Sequence, residues 1–497
     1  MTLSDVKFIK GQGGLGQKLP GKDHYSGLLF FADNKPAAFL TEQVQFIADI
    51  TDAESKGILA DKSDETKATG GTVVITDAAN TGSIETIKMQ NVILGQYTVV
   101  TGDDENSIAA ALADNINATT SQHGYTAIAT NDTIELTPPD GLGASINGIA
   151  PVYESTDGGN ATTTPFTGGV DAFFDVIHYH ISEFFRINPG GALWVMMADV
   201  PTTYTFEEVA ILQNSANGDL RQIGVLVHTT SLDTNHILSL QSVAEQLEQE
   251  HKPVSLILAP NIKNISDLST LPDLHGYEAN KVSVVIGQDG SGKGGKLFSL
   301  RPYSITALGA LLGTVSKSKV SEDIGWVAKY KASDVELDVA TIANGQIVSN
   351  IPVNLLNLLD EKGYVFLRKH IGLTGSYWNF GWTADEITSD YNTIERNRTI
   401  DKAIRGVRTY ILPALNGPVK VDSDTGKLDI TFIKYLESEA GKALLQMQKD
   451  GEISGYSVFI DPEQNVLSTN RVDIVFKIVP VGIAKEIVAK IGYSLKK

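Results

Sequence analysis

The hydrophobic pattern along the chain is strongest from Ile394 to Lys497, and its period changes within that stretch. Apolar residues first recur at steps of three and four, over 400–411 and again over 430–447, which predicts two amphipathic helices. From residue 456 onward apolar and polar residues alternate, which predicts strands over 456–460, 472–478 and 487–495. The last of these strands leaves an unpaired backbone edge, and such an edge is a template for pairing with another chain.

A different pattern fills the middle of the chain, where short apolar runs alternate with helical stripes. The runs cover 192–198, 222–228, 254–259 and 282–286. Because these runs lack polar alternation, they are typical of strands buried on both faces, and they predict a mainly parallel sheet covered by helices. The aromatic loop at 377–382 is expected to cap a core in preference to forming a surface patch.

The composition shifts between residues 64 and 170, where Thr, Asn, Gly and Asp dominate and lysines are few. Alternating pairs such as Val73 and Ile75 predict short, mostly antiparallel strands, with one helix over 107–117. Helical sequence flanks this segment on both sides. It is therefore predicted to be an inserted module on an exposed part of its host, where it would decorate the outside of an assembly.

Composition and charge narrow the class of protein. At 497 residues the chain can bury the cores of two to four domains. Its net charge of −19 argues against wrapping nucleic acid, and the absence of cysteine excludes disulfides, Cys-based zinc sites and thiol nucleophiles. No apolar run reaches 18 residues and residues 1–10 lack a signal-peptide pattern, so we expect no membrane insertion and synthesis in a reducing cytoplasm.

Two glycine-rich segments imitate phosphate-binding loops. Residues 11–16 read G-x-G-x-x-G, but Pro20 and Gly21 follow and no helix begins, so a flexible arm is expected. Residues 287–293 read G-x-x-x-x-G-K after a predicted strand, yet Gly294 stands where a Ser or Thr would hold magnesium. The helix that should follow is expected to be missing, which predicts a mobile surface loop.

No other residues form a recognisable reaction centre. His178 and His180 lie two apart on a predicted helix, point to different faces and cannot chelate one ion together, so core or interface histidines are expected. No G-x-S-x-G elbow is present. We therefore assign no catalytic, metal-binding or cofactor-binding residue and no cofactor, and predict that the protein is not an enzyme.

Five short segments near the end of the chain carry a family resemblance: Asp401-Lys402-Ala403-Ile404-Arg405, Leu412-Pro413-Ala414-Leu415-Asn416, Ile460-Asp461-Pro462, Gln464-Asn465-Val466-Leu467 and Ile478-Val479-Pro480-Val481-Gly482. In this order and spacing they resemble the C-terminal domain of contractile-tail sheath proteins. That family forms the outer cylinder of myophage tails and of related contractile injection machines. The first sixty residues and residues 173–200 resemble it more loosely.

The resemblance implies an α/β protein, α+β overall, with several domains. Residues 1–22 would be an N-terminal arm, and residues 23–63 with 373–497 an assembly domain completed by the N-terminal segment. Residues 64–170 would be the inserted β-rich domain and residues 171–372 the central, mainly parallel α/β domain.

The resemblance also implies a function and partners. Many copies would polymerise helically around an inner tail tube protein and contract to drive that tube through a cell envelope. Baseplate and tail terminator proteins would be further partners, without direct nucleic-acid contact, in a virion tail or injection particle made in the bacterial host cytoplasm. Strand exchange between subunits would use the terminal residues Phe8, Ile9, Ile487, Ile491, Tyr493 and Leu495.

Two alternatives remain open at this point. One is a nucleotide-binding enzyme built on the central α/β domain. The other is a different tail or baseplate component, although tube proteins are usually shorter and mostly β.

Overall fold

The computed structural model describes residues 21–423 and 425–493. The first strand of the described chain lies inside the largest sheet, which has seven strands. The first elements are β1 (Tyr25–Phe31), α1 (Ala37–Thr41), β2 (Val44–Ile47) and α2 (Ile50–Ser55). β1 pairs in parallel with strands at 192–198 and 222–231. This pairing corrects the predicted grouping of residues 23–63 with 373–497. Leu28 to Phe31 are fully buried, and an all-apolar strand needs cover on both faces, which the central sheet provides.

The second region has its own hydrophobic core, formed by residues between Ala68 and Phe166. Its elements are β3 (Thr72–Asp77), β4 (Ile84–Met89), β5 (Val92–Thr98), α3 (Glu105–Ala118), α4 (Thr120–His123), β6 (Thr126–Thr130), β7 (Thr133–Thr137), β8 (Val152–Ser155) and β9 (Asn160–Thr164). They form two antiparallel sheets, ordered β6-β7-β3-β9 and β5-β4-β8. α3 packs its apolar face on them and begins at a capping box between Asp104 and Ser107.

The third region completes the central sheet and covers it. Its elements are α5 (Phe174–Ile187), β10 (Ala192–Ala198), α6 (Glu207–Ser215), β11 (Gln222–Ser231), α7 (Thr234–Gln249), β12 (Ser255–Asn261), β13 (Val282–Val285), β14 (Gly287–Asp289), α8 (Lys293–Leu300), α9 (Leu308–Lys317), β15 (Ala340–Ile342), α10 (Val353–Glu361), β16 (Tyr364–Val365), β17 (Leu367–Arg368) and β18 (Tyr377–Trp378). The sheet order is β16-β13-β12-β11-β1-β10-β2, and every neighbouring pair is parallel except β10 with β2. The predicted parallel α/β centre is confirmed.

Helices cover both faces of this sheet. On one face Leu212 of α6 lies beside Gly27, and on the other Leu308 of α9 lies beside Gly224. α5 crosses α9 on the second face, and the main hydrophobic core fills the space between the helices and the sheet. The aromatic loop caps this core as predicted: Trp378 is fully buried, and its indole N–H donates to the Thr314 hydroxyl at 3.1 Å.

The last region consists of α11 (Ile394–Ile411), α12 (Ile430–Lys449), β19 (Ile453–Phe459), α13 (Val466–Thr469) and β20 (Val475–Pro480). α11 and α12 are the two predicted amphipathic helices, and they enclose a small core with the antiparallel hairpin β19–β20. The described part of the predicted third strand, over 487–495, is not a strand: residues 481–493 contain no helix or strand. Leu495 lies outside the described residues.

Candidate subunit-linking surface

The hairpin β19–β20 is a two-stranded antiparallel sheet in the last region. One of its faces packs through Tyr456, Val458, Phe476 and Ile478 onto the core between α11 and α12. Phe459, Val475 and Val479 are exposed on the same two strands. Since this sheet has only two strands among the described residues, the outer edge of each strand carries backbone groups without a strand partner. Two-stranded ribbons are marginal by themselves and readily accept a further strand.

The C-terminal tail, residues 481–493, leaves this hairpin and runs along the central region. Its first part, up to Ile487, lines one side of a groove of about 680 Å³. Trp326 and Phe380 are among the residues of the opposite side. The ammonium of Lys485 lies 2.7 Å from Asp360 Oδ2, so the first part of the tail is held on its own subunit.

Beyond Lys485 the tail is exposed. Ile487 is 83% exposed, and Ile491 and Tyr493 are fully exposed. Large apolar side chains clustered on one exposed segment mark an interaction surface more often than isolated ones do. The structure therefore places three of the predicted linking residues on one free segment. Phe8 and Ile9, like Leu495, lie outside the described residues.

The sequence pattern identifies the tail, but it does not identify the hairpin edges as a surface to which another strand can pair. The alternation over 456–460 and 472–478 predicts the two strands, but a sequence does not state that no third strand joins them. Pro480 and Gly482 were the available signal. Proline and glycine interrupt a strand, and here they separate the tail from the hairpin.

A pair of buried carboxyl groups lies beneath the groove. The Asp323 carboxylate accepts from the backbone N–H groups of Gly325 at 2.7 Å and Gly381 at 3.0 Å. Glu395, on α11, accepts from the Thr393 hydroxyl. Burial raises the pKa of Asp323 to about 6, and burial followed by the charge of Asp323 raises the pKa of Glu395 to about 8. Near neutral pH the Glu395 side chain therefore keeps its proton.

The loop at 287–293 differs from its predicted form. A helix does begin after it, α8 at Lys293, so the predicted absence of this helix is wrong. Gly292, Gly294 and Gly295 have weak helix propensity, so the sequence pattern does not predict helix α8.

The start of α8 is nevertheless occupied by the protein's own carboxyl groups. Glu336 Oε2 accepts from the Lys293 N–H at 2.6 Å, and a Cβ on Gly292 would lie 2.4 Å from Asp289 Oδ2. Burial and the nearby Asp289 raise the pKa of Glu336. A phosphate would need this same position and would meet like charge there, so the geometry disfavours nucleotide binding.

The two histidines of α5 are placed as expected. His180 is fully buried, and burial lowers its pKa to about 3. His178 is also buried, with its Nε2 3.0 Å from Glu54 Oε1. Within residues 21–423 and 425–493, no three His, Asp or Glu side chains are arranged to hold a metal ion. No helix in that part of the chain is both long and apolar enough to cross a membrane.

Solved structures of contractile sheath proteins are similar to this chain. The contracted helical sheath of the anti-feeding prophage aligns at TM-score 0.46 and 15% identity, covering 66% of this chain and 84% of that chain. The contracted sheath complex of PVC, an extracellular contractile injection system, gives 0.43 and 12%, covering 65% and 81%. The sheath tail protein from Desulfitobacterium hafniense gives 0.38 and 12%, covering 96% and 100%.

Among curated proteins, none matches this sequence. The sequence models of one family, by contrast, span nearly the whole chain. The DUF2586 N-terminal domain matches residues 3–381, and the DUF2586 C-terminal domain matches residues 390–497. The chain therefore belongs to the DUF2586 family.

Proposed function

We propose that this protein is a structural subunit of a contractile sheath, which polymerises helically around an inner tube and contracts to drive the tube through a target envelope. One observation carries the proposal: an exposed apolar tail and a two-stranded hairpin with open edges belong to the same terminal region. A tail that pairs with the hairpin of the next copy makes a head-to-tail contact. Repeated head-to-tail contacts that do not close into a ring give an open helical array.

The energies of such a link are adequate for assembly. Burying the side chains of Ile487, Ile491 and Tyr493 would contribute roughly 1.5–3 kcal/mol each. New backbone hydrogen bonds to the hairpin edge would add about 1 kcal/mol each. Summed along a cylinder of many copies, these gains hold neighbours together while the subunits change their relative orientation.

The other parts of the proposal follow from the family resemblance. The tube protein, the baseplate and the tail terminator would be the partners, and the protein would act in a virion tail or injection particle after synthesis in the host cytoplasm. The subunit would work without catalysing a reaction, since contraction draws on the difference in interface energy between two arrangements. The carboxylates at the start of α8 support this role over a nucleotide-driven one.

Removing the tail tests the proposal. A variant that lacks residues 486–497 should remain a folded monomer, with the parent's circular dichroism spectrum and unfolding midpoint, because the deleted residues that the structure describes are exposed. It should form no tubes in negative-stain electron micrographs under conditions where the parent forms them.

A matched pair of variants separates the linking role of the tail from nonspecific association through exposed apolar side chains. Replacing Ile487, Ile491 and Tyr493 by serine should abolish tubes. Replacing three exposed apolar residues of the central region, Val335, Val353 and Ile371, by serine should leave tubes intact. Tubes of parental appearance from the 486–497 deletion would overturn the proposal.

A further inference from the structure

Lys485 occupies a site that is built by three side chains of the central region. Its ammonium lies 4.1 Å from the centre of the Trp382 ring and 4.8 Å from that of Phe380, in addition to the 2.7 Å contact with Asp360. A cation over two aromatic faces and beside a carboxylate is attracted by both the ring quadrupoles and the negative charge. The chemistry of the site therefore matches a lysine side chain.

The site is held in shape by the central region and its neighbours. Asp360 Oδ1 accepts from the Asn379 amide at 2.8 Å and from the Trp382 indole N–H at 3.2 Å, which fixes the carboxylate and the ring together. The Phe380 and Trp382 rings are buried and meet edge to face at 4.7 Å. The His275 ring also packs edge to face with Trp382, with the ring centres 5.2 Å apart. Because these side chains hold one another in place, the site is preorganised to bind a lysine ammonium.

The exposure of the tail changes where it meets this site. Val481 and Ile483, before Lys485, are 38% and 39% exposed, whereas Ile487, which still borders the groove, and Ile491 are 83% and 100% exposed. The negative charge of buried Asp323 also acts on Lys485 from beneath the groove. The lysine thus lies at the boundary between a held segment and a free one.

We propose that Asp360, Phe380 and Trp382 form a lysine receptor that fixes the point at which the C-terminal tail leaves its own subunit, so that only the residues after Lys485 are offered to a second copy. The second half of this statement rests on the proposed function. With residue 485 fixed, Tyr493 can lie at most about 29 Å away, which limits how far away a neighbour that binds this side chain can be. The receptor would therefore set the spacing of the linkage, and the free residues its affinity.

The free subunit provides the test, because the anchoring does not require polymerisation. The chain contains no cysteine, so Ile483→Cys gives a single site for a nitroxide label on the held part of the tail, two residues before Lys485. Electron paramagnetic resonance of the dilute, unassembled protein then reports how mobile the tail is. In otherwise unaltered protein the label should be restricted.

Two variants should release the tail and one should not. Lys485→Ala removes the cation and Asp360→Asn removes its charge partner, and each should increase the ratio of mobile to restricted label by about tenfold. Lys490→Ala makes the same charge change on the exposed part of the same tail and should leave the spectrum unchanged. Lys485→Ala changes only a tail residue, so its effect cannot come from misfolding of the central region.

The outcomes separate this inference from the proposed function. Spectra of Lys485→Ala and Asp360→Asn that match the parent spectrum would overturn the receptor. A label that is restricted in the parent and released by both variants supports it, even if the protein forms no tubes. Failure to form tubes with an intact receptor would count against the sheath role alone.

Discussion

At the scale of single residues, the least ordinary feature is the pair of carboxyl groups, Asp323 and Glu395, buried beneath the groove. Burial disfavours the charged form of an acid, and the first carboxylate to ionise makes ionisation of the second still less favourable. Glu395 also has a buried oxygen, Oε2, that meets no hydrogen-bond partner. The pair therefore makes the stability of the folded chain depend on pH.

Glu395→Gln is expected to reduce that dependence. Burial in the folded protein raises the pKa of Glu395 to about 8, whereas a glutamate in an unfolded chain has a pKa of about 4.3. Between these values the folded state keeps a proton that the unfolded state releases, so the parent loses stability as the pH rises through this window. Glutamine can still accept from Thr393 and has no proton to lose, so the variant should be more stable than the parent at pH 8, by on the order of 2 kcal/mol.

Urea unfolding of both proteins at pH 5, 6, 7 and 8 checks this expectation. The free energies of unfolding should diverge steadily as the pH rises. Glu386→Gln, an exposed glutamate of the same region, should show no such divergence from the parent. Parallel pH profiles for parent and Glu395→Gln would mean that Glu395 ionises normally in the folded protein.

At the scale of elements, α11 joins the terminal region to the central one through charged groups. Lys281, which precedes β13, lies 2.6 Å from Asp401, and both are buried. The Lys402 ammonium donates to Asp23, near the start of the described chain, and to Glu452, just before β19. Ala403 faces the core with α12, and the Arg405 guanidinium donates to the Pro253 carbonyl. The segment Asp401 to Arg405, one of the five segments that together carry the sequence resemblance, thus contacts both regions.

The crossing of α5 and α9 depends on a glycine. A Cβ on Gly309 would lie 2.0 Å from the His180 carbonyl oxygen, so the backbones touch there. Gly309→Ala must push the two helices apart inside the main core, and overpacking of this kind costs about 1–3 kcal/mol. The free energy of unfolding in urea should fall by that amount. Gly190→Ala, where a new Cβ meets nothing within 4 Å, should change it little, and equal values for the two variants would contradict the close crossing.

Helices and strands could be predicted from the sequence where their hydrophobic pattern is local. Which strands pair with one another could not be predicted in this way. Apolar runs such as 254–259 and the stripes of α11 and α12 identify their own structure, because burial on one or both faces leaves a period in the sequence. β1 shows the limit: its apolar run predicts a strand, but its place between β10 and β11 depends on residues about 170 to 200 positions later. The Lys485 receptor was missed for the same reason, since Asp360 and Lys485 lie 125 positions apart.

At the scale of the whole molecule, the second region is attached to the rest at a narrow base. Its hydrophobic core is separate from the main core. The chain enters and leaves it side by side: Thr66 bridges to Val170 and Thr69 to Thr167, with the Thr167 N–H 2.8 Å from the Thr69 carbonyl. Asp64, just before the base, accepts from the N–H groups of Phe173 and Phe174 at the start of α5. The host therefore has contacts of its own across the base. Glu65 and Asp171 at the base also accept from the backbone N–H groups of Gly143 and Ala144 in the region above.

The host's own contacts across the base predict that the region can be removed. Replacing residues 70–166 by Asn-Gly would join Thr69 and Thr167 through a two-residue hairpin turn, which suits an antiparallel pair already bonded at that point. The host should keep cooperative unfolding, with its free energy changed by no more than about 1–2 kcal/mol, since the main core and the Asp64 cap are untouched. If the region decorates the outside of the proposed sheath, the variant should still form tubes, and negative-stain images should show them narrower than the parent's. Loss of cooperative unfolding would mean that the two cores depend on each other, and tubes of unchanged width would place the region away from the outer surface.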